Sequence, residues 1–356
     1  MIYFLTASKD ASVYLQQPDQ NTGLDEILEV SKVYYGNIKD VSRALLKFDT
    51  SHISASIASG EVTMSMANLI LRDTESEEIP LSYTIFAHAI SGSWEMGNGT
   101  RFDNITTSGV TWKYREGDST EPWLKNTSHT LESTGSTWNS NKGGVWYINS
   151  GSSQDFDYQT SDISMDITDM MNAWIQGDFP NDGLIVKHGD SVESDSNDYG
   201  VLKFFSKETN TIYQPKVMVG WDDQVFSPGS LSALTSEEIK VGLKNYKKEY
   251  KVNTTPRIRV FGRELYPLKT FSDSFAYSSV KYLPQTTYYQ IRDFNSNDII
   301  VPFSDYTKIS CDSDGNYFNL NLSNWEVERV YKIEFKVERN GLVQYFNGDV
   351  TFTVVE

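Results

Sequence analysis

Apolar and polar residues alternate with a period of two along most of the chain. Residues 43–50 (RALLKFDT), 67–73 (ANLILRD), 82–90 (SYTIFAHAI), 183–188 (GLIVKH), 201–207 (VLKFFSK) and 215–221 (PKVMVGW) carry the pattern. Successive side chains of an extended chain point to opposite faces, so the alternation predicts half-buried strands. Connections rich in Gly, Asn, Ser and Asp separate them, as turns require. One segment has another period. In residues 166–183 (DITDMMNAWIQGDFPNDG) the apolar residues Ile167, Met170, Met171, Trp174 and Ile175 recur at helical spacing, Gly177 supplies a stop and Pro180 follows. The spacing predicts a single short helix of about ten residues inside an otherwise all-β domain.

Beyond Trp221 the texture changes. Residues 222–238 (DDQVFSPGSLSALTSEE) are polar and turn-rich around Pro228-Gly229, and predict a linker at 223–237. Residues 238–244 (EIKVGLK) read two ways. Thr235 and Glu238 have capping-box spacing, with Ile239, Leu243, Tyr246 and Tyr250 along one helix face. Ile239, Val241 and Leu243 also alternate strictly with Lys240, Gly242 and Lys244, and the strand is favoured because strands follow. The remainder to Glu356 reads as a second all-β unit. Its clearest element is 331–347 (YKIEFKVERNGLVQYFN), a hairpin in which Asn340-Gly341 supplies the positive φ angles of a tight turn. About seven or eight short strands in roughly 110 residues is the size of an immunoglobulin-like sandwich. The expected organisation is a β-sandwich domain over 1–222, a linker over 223–237 and an immunoglobulin-like β domain over 238–356.

Length agrees with two domains, at about 150 residues each. The chain has 31 Lys and Arg against 48 Asp and Glu, a net charge of −17. That balance argues against nucleic acid and anionic membrane as partners, since both need a basic face. The single cysteine, Cys311, excludes an intramolecular disulfide. The opening residues (MIYFLTASKDASVYL) lack the basic start, long apolar run and small-residue cleavage site of a signal peptide. No stretch approaches ~18 uninterrupted apolar residues, so no transmembrane helix is expected. The chain therefore reads as a soluble protein made in a reducing compartment. Asn98, Asn104, Asn126, Asn253 and Asn321 begin Asn-X-Ser/Thr triplets, which without secretion are chance products of an Asn- and Thr-rich chain.

Catalytic signatures are missing. There is no His-Glu-x-x-His, no Gly-x-Ser-x-Gly, no phosphate-binding loop ending in Lys-Ser/Thr and no Cys-x-x-Cys. The histidines His52, His88, His129 and His188 have no ligand spacing, and Cys311 has no base beside it in sequence. Of the many carboxylates, Glu95 and Glu116 are the pair to test as an acid/base couple. Two acidic stretches are weak candidates for a structural calcium ion: 189–200 (GDSVESDSNDYG) with Asp190, Glu193, Asp195 and Asp198, and 311–316 (CDSDGN) with Asp312 and Asp314. Neither matches the EF-hand pattern, and solvated acidic loops are the favoured reading. No cofactor is expected.

The most distinctive stretch is 93–112 (SWEMGNGTRFDNITTSGVTW), where Trp94 and Trp112 bracket a Gly-, Asn- and Thr-rich run. Tryptophans of this kind can form a platform for sugar rings. Because each adjoins a strand, they read better as core residues closing the ends of a long connection.

The order KDASVYL, NTGLDEILEV, SRALLKFD, SWEMGNGT, GVTW, DITDMMNAWIQGDFPNDGLIVK and KFFSKETNTIYQPKVMVGW resembles the DNRLRE family of jelly-roll-like β-sandwich modules over roughly residues 1–222. Met96 stands where that family often has Gly. The resemblance implies a surface or adhesion-type role without a defined active site, and makes Arg43, Phe48, Asp49, Trp94, Trp112, Trp174 and Trp221 fold determinants. Such modules occur on secreted cell-surface proteins and in virion proteins of tailed bacteriophages. The second unit (RIRVFGRELYPLKTF, KYLPQTTYYQIRD, CDSDGNYF) is similar to structural proteins of T4-like phages. Together these imply a non-enzymatic structural protein of a phage virion, in neck, tail, baseplate or head decoration. It would be made in the host cytoplasm and would assemble as a homo-oligomer with other virion proteins. The alternative is a glycan-binding adhesion module for a host surface, using loop 96–108 or the tyrosines Tyr288 and Tyr289. A polysaccharide-degrading enzyme is the least favoured class.

Overall fold

The computed structural model describes residues 1–106, 108–125, 132–158, 160–267 and 280–356. The architecture is all-β, built from curled sheets, and falls into two compact units. The larger comprises Leu5–Val62 and Met66–Met218; the second comprises Met1–Phe4, Thr63–Ser65 and Val219–Glu356.

The long strands of the larger unit are β1 (Ile2–Tyr14), β2 (Ile27–Tyr35), β3 (Ile38–Phe48), β4 (Met66–Leu71) and β5 (Ser82–Ala89). Four short strands follow, β6 (Tyr114–Glu116), β7 (Glu121–Pro122), β8 (Ser133–Gly135) and β9 (Val145–Tyr147). Then come β10 (Ser152–Asp157), β11 (Ile163–Asp166), β12 (Leu184–His188), β13 (Gly200–Phe205) and β14 (Lys216–Gly220). Ten of these form one sheet in the order β10-β5-β12-β3-β1-β14-β4-β11, with β2 on β3 and β13 on β2. The sheet curls until its ends meet. The Gln154 side chain of β10 donates to the Asp162 carbonyl at 3.1 Å and accepts from the Ser164 amide of β11 at 2.8 Å.

The inner face carries Ala44, Leu46, Phe48, Ile85, Ala87, Leu184 and Val186, all fully buried. The alternate residues face the other way. Val41, Leu45 and Ile185 meet Trp94, Val110, Trp112, Trp123, Val145 and Trp146 from the long excursion between β5 and β10, making a second apolar cluster. Asn21 holds that excursion down. Its amide donates to the carbonyls of Met96 (2.7 Å) and Val110 (2.8 Å), and its carbonyl oxygen accepts from the Gly99 amide (2.8 Å). A Cβ on Gly23 would lie 2.3 Å from the Met96 carbonyl oxygen, so the Asn-Thr-Gly run admits only glycine at its end.

The expected helix is present as α2 (Thr168–Gln176), stopped by Gly177 at φ +80°. The expectation of a single helix needs correction, because α1 (Ser51–Ala58) and α3 (Asp190–Ser194) are also present. Helix α1 buries only Ile53, so it leaves almost no apolar period in the sequence. Helix α3 lies in the acidic stretch expected to be a solvated loop.

The second unit is a pair of sheets. One holds β15 (Ser232–Ala233), β16 (Ile239–Lys244), β18 (Arg257–Glu264), β19 (Lys281–Tyr282), β22 (Ser310–Asp312) and β23 (Gly315–Asn319). The other holds β17 (Glu249–Lys251), β20 (Thr287–Asp293), β21 (Ile299–Val301), β24 (Val330–Arg339) and β25 (Leu342–Val355). Within residues 238–244, Ile239–Lys244 thus form the strand and not the helix. Asn340 and Gly341, at φ 50° and 78°, turn the β24–β25 hairpin. The segment 223–237 is not a free linker. It carries β15, paired parallel to β19, its Leu234 is buried, and the Ser227 amide donates to the Cys311 carbonyl at 2.8 Å. Aromatic rings fill this core. Phe318 stacks on Tyr289 at 4.2 Å and meets Phe335 edge-on at 6.4 Å.

Candidate functional site

Arg43 lies on β3 between Val41 and Leu45 and therefore points into the second cluster of the larger unit. Its guanidinium is fully buried, 4.8 Å from the Trp112 ring centroid and 5.6 Å from that of Trp146. An unpaired charge there would be strongly disfavoured. Glu193 of α3, also fully buried, answers it by accepting from Nε at 3.0 Å and from Nη2. Nη1 donates to the Gly143 carbonyl at 2.8 Å. A Cβ on Gly143 would lie 2.8 Å from the Trp112 ring, and its φ of +76° suits glycine, so this turn closes tightly over the tryptophan.

Lys187 of β12 enters from the neighbouring strand. Its ammonium lies 4.9 Å from the Trp146 centroid, donates to Asp190 at 2.6 Å and sits 3.6 Å from Glu193. Burial pulls its pKa below the ordinary lysine value. Two cations and the carboxylates of α3 thus form one network over two tryptophans.

A groove of about 760 Å³ opens at the rim of this network. Phe86 and His88 of β5 and Trp146 of β9 run along it as a ladder of rings. Phe86 and His88 lie within 6° of parallel at 6.1 Å, and His88 and Trp146 within 23° at 5.7 Å. Tyr199, half-buried, and the hydroxyl residues Ser82, Thr84, Thr134 and Ser191 complete the walls beside Lys187, His188 and Asp190. Burial pushes His88 down to about 4, helped by the Lys187 charge. It pushes His188 down to about 3, helped by Lys187 and Lys32. Both imidazoles are neutral near pH 7. Nδ1 of His88 and both ring nitrogens of His188 have no hydrogen-bond partner among the described residues.

The other residues singled out in the sequence fall elsewhere. Trp94 is buried and donates to the Asp182 carbonyl at 2.8 Å. Phe48, Trp174 and Trp221 are buried in their units. Asp49 is exposed and caps the start of α1 by accepting from the Ser51 amide at 2.9 Å, which holds its carboxyl below the usual range. Asp195 accepts from the Asn197 amide and Tyr199 hydroxyl and lies 3.5 Å from the buried Lys32 ammonium. Burial alone would raise it, but these contacts bring it below the ordinary value. Asp198 accepts from the Gly200 amide. Asp312 is held low by Arg259, 2.6 Å away, which also lies 3.6 Å from Asp314.

The acidic stretches are therefore committed to cations and backbone amides and do not converge as calcium ligands. Among the described residues no three His, Cys, Asp or Glu side chains are arranged to hold a metal ion. Tyr288 and Tyr289 are not exposed sugar contacts: Tyr289 stacks in the core and Tyr288 lies under the Lys336 ammonium at 4.3 Å. Their expected exposure fails because β20 is buried between its neighbours along most of its length. Glu95 pairs with Lys9 at 2.8 Å, and Glu116 lies on β6 opposite Glu121. Cys311 is buried, which pushes its thiol up to about 11 and keeps it protonated. His129 and Asn126 lie outside the described residues.

Sequence reasoning missed Phe86 and Lys187, and took Glu193 for one carboxylate of a solvated acidic loop, whereas it is fully buried against Arg43. Glu193 lies 150 positions from Arg43, and only the fold joins them. No helix among the described residues is long and apolar enough to cross a membrane. Comparison of the chain with protein-family models and with curated protein sequences returns no match.

Proposed function

We propose that the chain is a non-enzymatic structural protein of a tailed-bacteriophage virion that assembles through surfaces of its β units. The virion part of this reading rests on the ordered resemblance of residues 1–222 to the DNRLRE modules. The assembly part is carried by one face of the second unit. Tyr345 (70% exposed) and Val343 stand out from the same face of the β24–β25 hairpin, and Phe303 lies against Tyr345 at 5.9 Å. Lys336 lies over the rings of Phe303 and Tyr288. A strip of large apolar side chains crossed by a cation suits a protein interface better than a free surface. Supporting a structural role, the buried charges of the larger unit are matched to one another around tryptophans.

Light scattering on the purified chain tests the assembly reading. The expected result is a defined oligomer whose mass falls on Tyr345→Asp or Val343→Asp. A monomer at high concentration for the parent chain would sink it. Absence of the protein from purified virions would sink the virion reading separately.

A further inference from the structure

The groove at the rim of the Arg43–Glu193–Lys187 network has a composition that assembly does not require. Its walls alternate flat rings with hydroxyls. Phe86 and Tyr199 are half-buried and offer ring surface, Trp146 lies beneath, and Ser82, Thr84, Thr134 and Ser191 border it. Its charges balance, since Lys187 is paired with Asp190 at 2.6 Å and both histidines are neutral. Asp190 accepts that bond through Oδ1 and is 43% exposed, so its carboxylate still has acceptor capacity toward the groove. His188 adds two buried ring nitrogens without a partner among the described residues, one a donor and one an acceptor in the neutral ring. The volume falls within the ~300–1,000 Å³ of small-ligand sites.

From these features we propose that the groove between β5, β9, β12 and α3 is a binding site for a neutral pyranose sugar. The C–H face of the ring stacks on Phe86. Its hydroxyls donate to Asp190 and exchange hydrogen bonds with the wall hydroxyls. A pyranose matches both halves of this surface, being apolar on its faces and a hydrogen-bonding ring at its edge. An anionic ligand finds no unpaired cation among the described residues here, because Lys187 is already matched by Asp190 and Glu193. The site is distinct from loop 96–108 and from Tyr288, and it stands or falls independently of the virion reading.

The test uses the full chain with methyl pyranosides of glucose, galactose, mannose and N-acetylglucosamine and their trimers, followed by saturation-transfer NMR and calorimetry. Sialyllactose and trigalacturonate are the acidic comparators. At least one neutral sugar is expected to bind, with affinity reduced about tenfold or more by Phe86→Ala and by Asp190→Asn, retained by Phe86→Tyr, and unchanged by Phe102→Ala. Phe102 is 88% exposed and outside the groove, so that variant controls for non-specific stacking. Circular dichroism establishes that each variant is folded; should Phe86→Ala not fold, Asp190→Asn decides. Binding of none of the neutral sugars, tighter binding of the acidic comparators, or affinity unmoved in the folded variants overturns the assignment.

Discussion

The two units bury charge in opposite ways. In the larger, Arg43, Lys187 and Glu193 come from separate elements and meet in an enclosed site walled by Trp112 and Trp146. In the second, the fully buried Asp293 is satisfied mostly by its own turn, accepting from the amides of Asn295 (2.9 Å) and Ser296 (2.7 Å), with Arg329 added from just before β24. The first arrangement depends on long-range folding and the second is almost local. A long-range buried pair fixes how a chain excursion sits on a sheet, because removing either partner strands the other. A local one fixes only a turn.

The sharpest way to break this contrast is Glu193→Ala. It leaves the buried guanidinium of Arg43 and the ammonium of Lys187 without their shared carboxylate, and the expected cost is about 3–5 kcal/mol. Urea denaturation followed by tryptophan fluorescence measures it. Six of the eight tryptophans (Trp94, Trp112, Trp123, Trp138, Trp146 and Trp174) belong to the larger unit, so the signal reports chiefly on that unit. Replacing both partners, as in Arg43→Met with Glu193→Leu, should recover much of the loss. A loss under about 1 kcal/mol for Glu193→Ala would mean that solvent reaches the pair.

Much of the fold was legible because strand alternation and the Asn-Gly hairpin are local signals. The all-β class, helix α2, the strand at 239–244 and the β24–β25 hairpin all follow from patterns a few residues long. What the sequence hid is long-range. Acidic residues in 189–200 look solvated until α3 turns Glu193 toward Arg43, and "TTYY" looks exposed until β20 is placed between β21 and β24. The groove was invisible for the same reason: Phe86 and His88 read as the outward half of a strand, and nothing nearby says that Trp146 and α3 will close over them.

A pH titration separates the units further, since Asp10 of the larger and Asp293 of the second are both buried and shift in opposite directions. Asp10 in β1 is raised by burial from the ordinary 3.8 to about 7, against the opposing pull of the Lys207 amide (2.6 Å) and the Lys207 charge. For Asp293, burial raises the pKa, but Arg329 and Ser296 outweigh it and the net shift is downward. The native state therefore holds a proton on Asp10 that the unfolded chain releases between about pH 4 and 7. The contribution of Asp10 is fully present below 3.8 and is lost as pH rises through about 7. That of Asp293 runs the other way: present above the ordinary carboxyl value and lost as pH falls through its depressed native value. Asp10→Asn should flatten the slope seen by tryptophan fluorescence over pH 4–7, an effect of at most about 4 kcal/mol. An unchanged slope would show that Asp10 is ionised and hydrated in the native protein.

The smallest expected effect lies at the rim of the second unit. Arg259 and Asp312 are 2.6 Å apart, closer than Lys187 and Glu193, yet their side chains are 27% and 28% exposed. Water screens their attraction and replaces either partner's hydrogen bonds, so distance alone overstates the pair. Arg259→Ala should cost under about 1 kcal/mol, with some of that coming from lost contact with the Tyr317 ring at 5.2 Å. Raising the salt concentration to 1 M should shrink the difference between parent and variant further, because exposed charges are screened within about 3 Å there. The Glu193→Ala penalty should barely respond, since no counterion reaches Arg43. If both penalties fell together with salt, burial would not be what separates the two pairs.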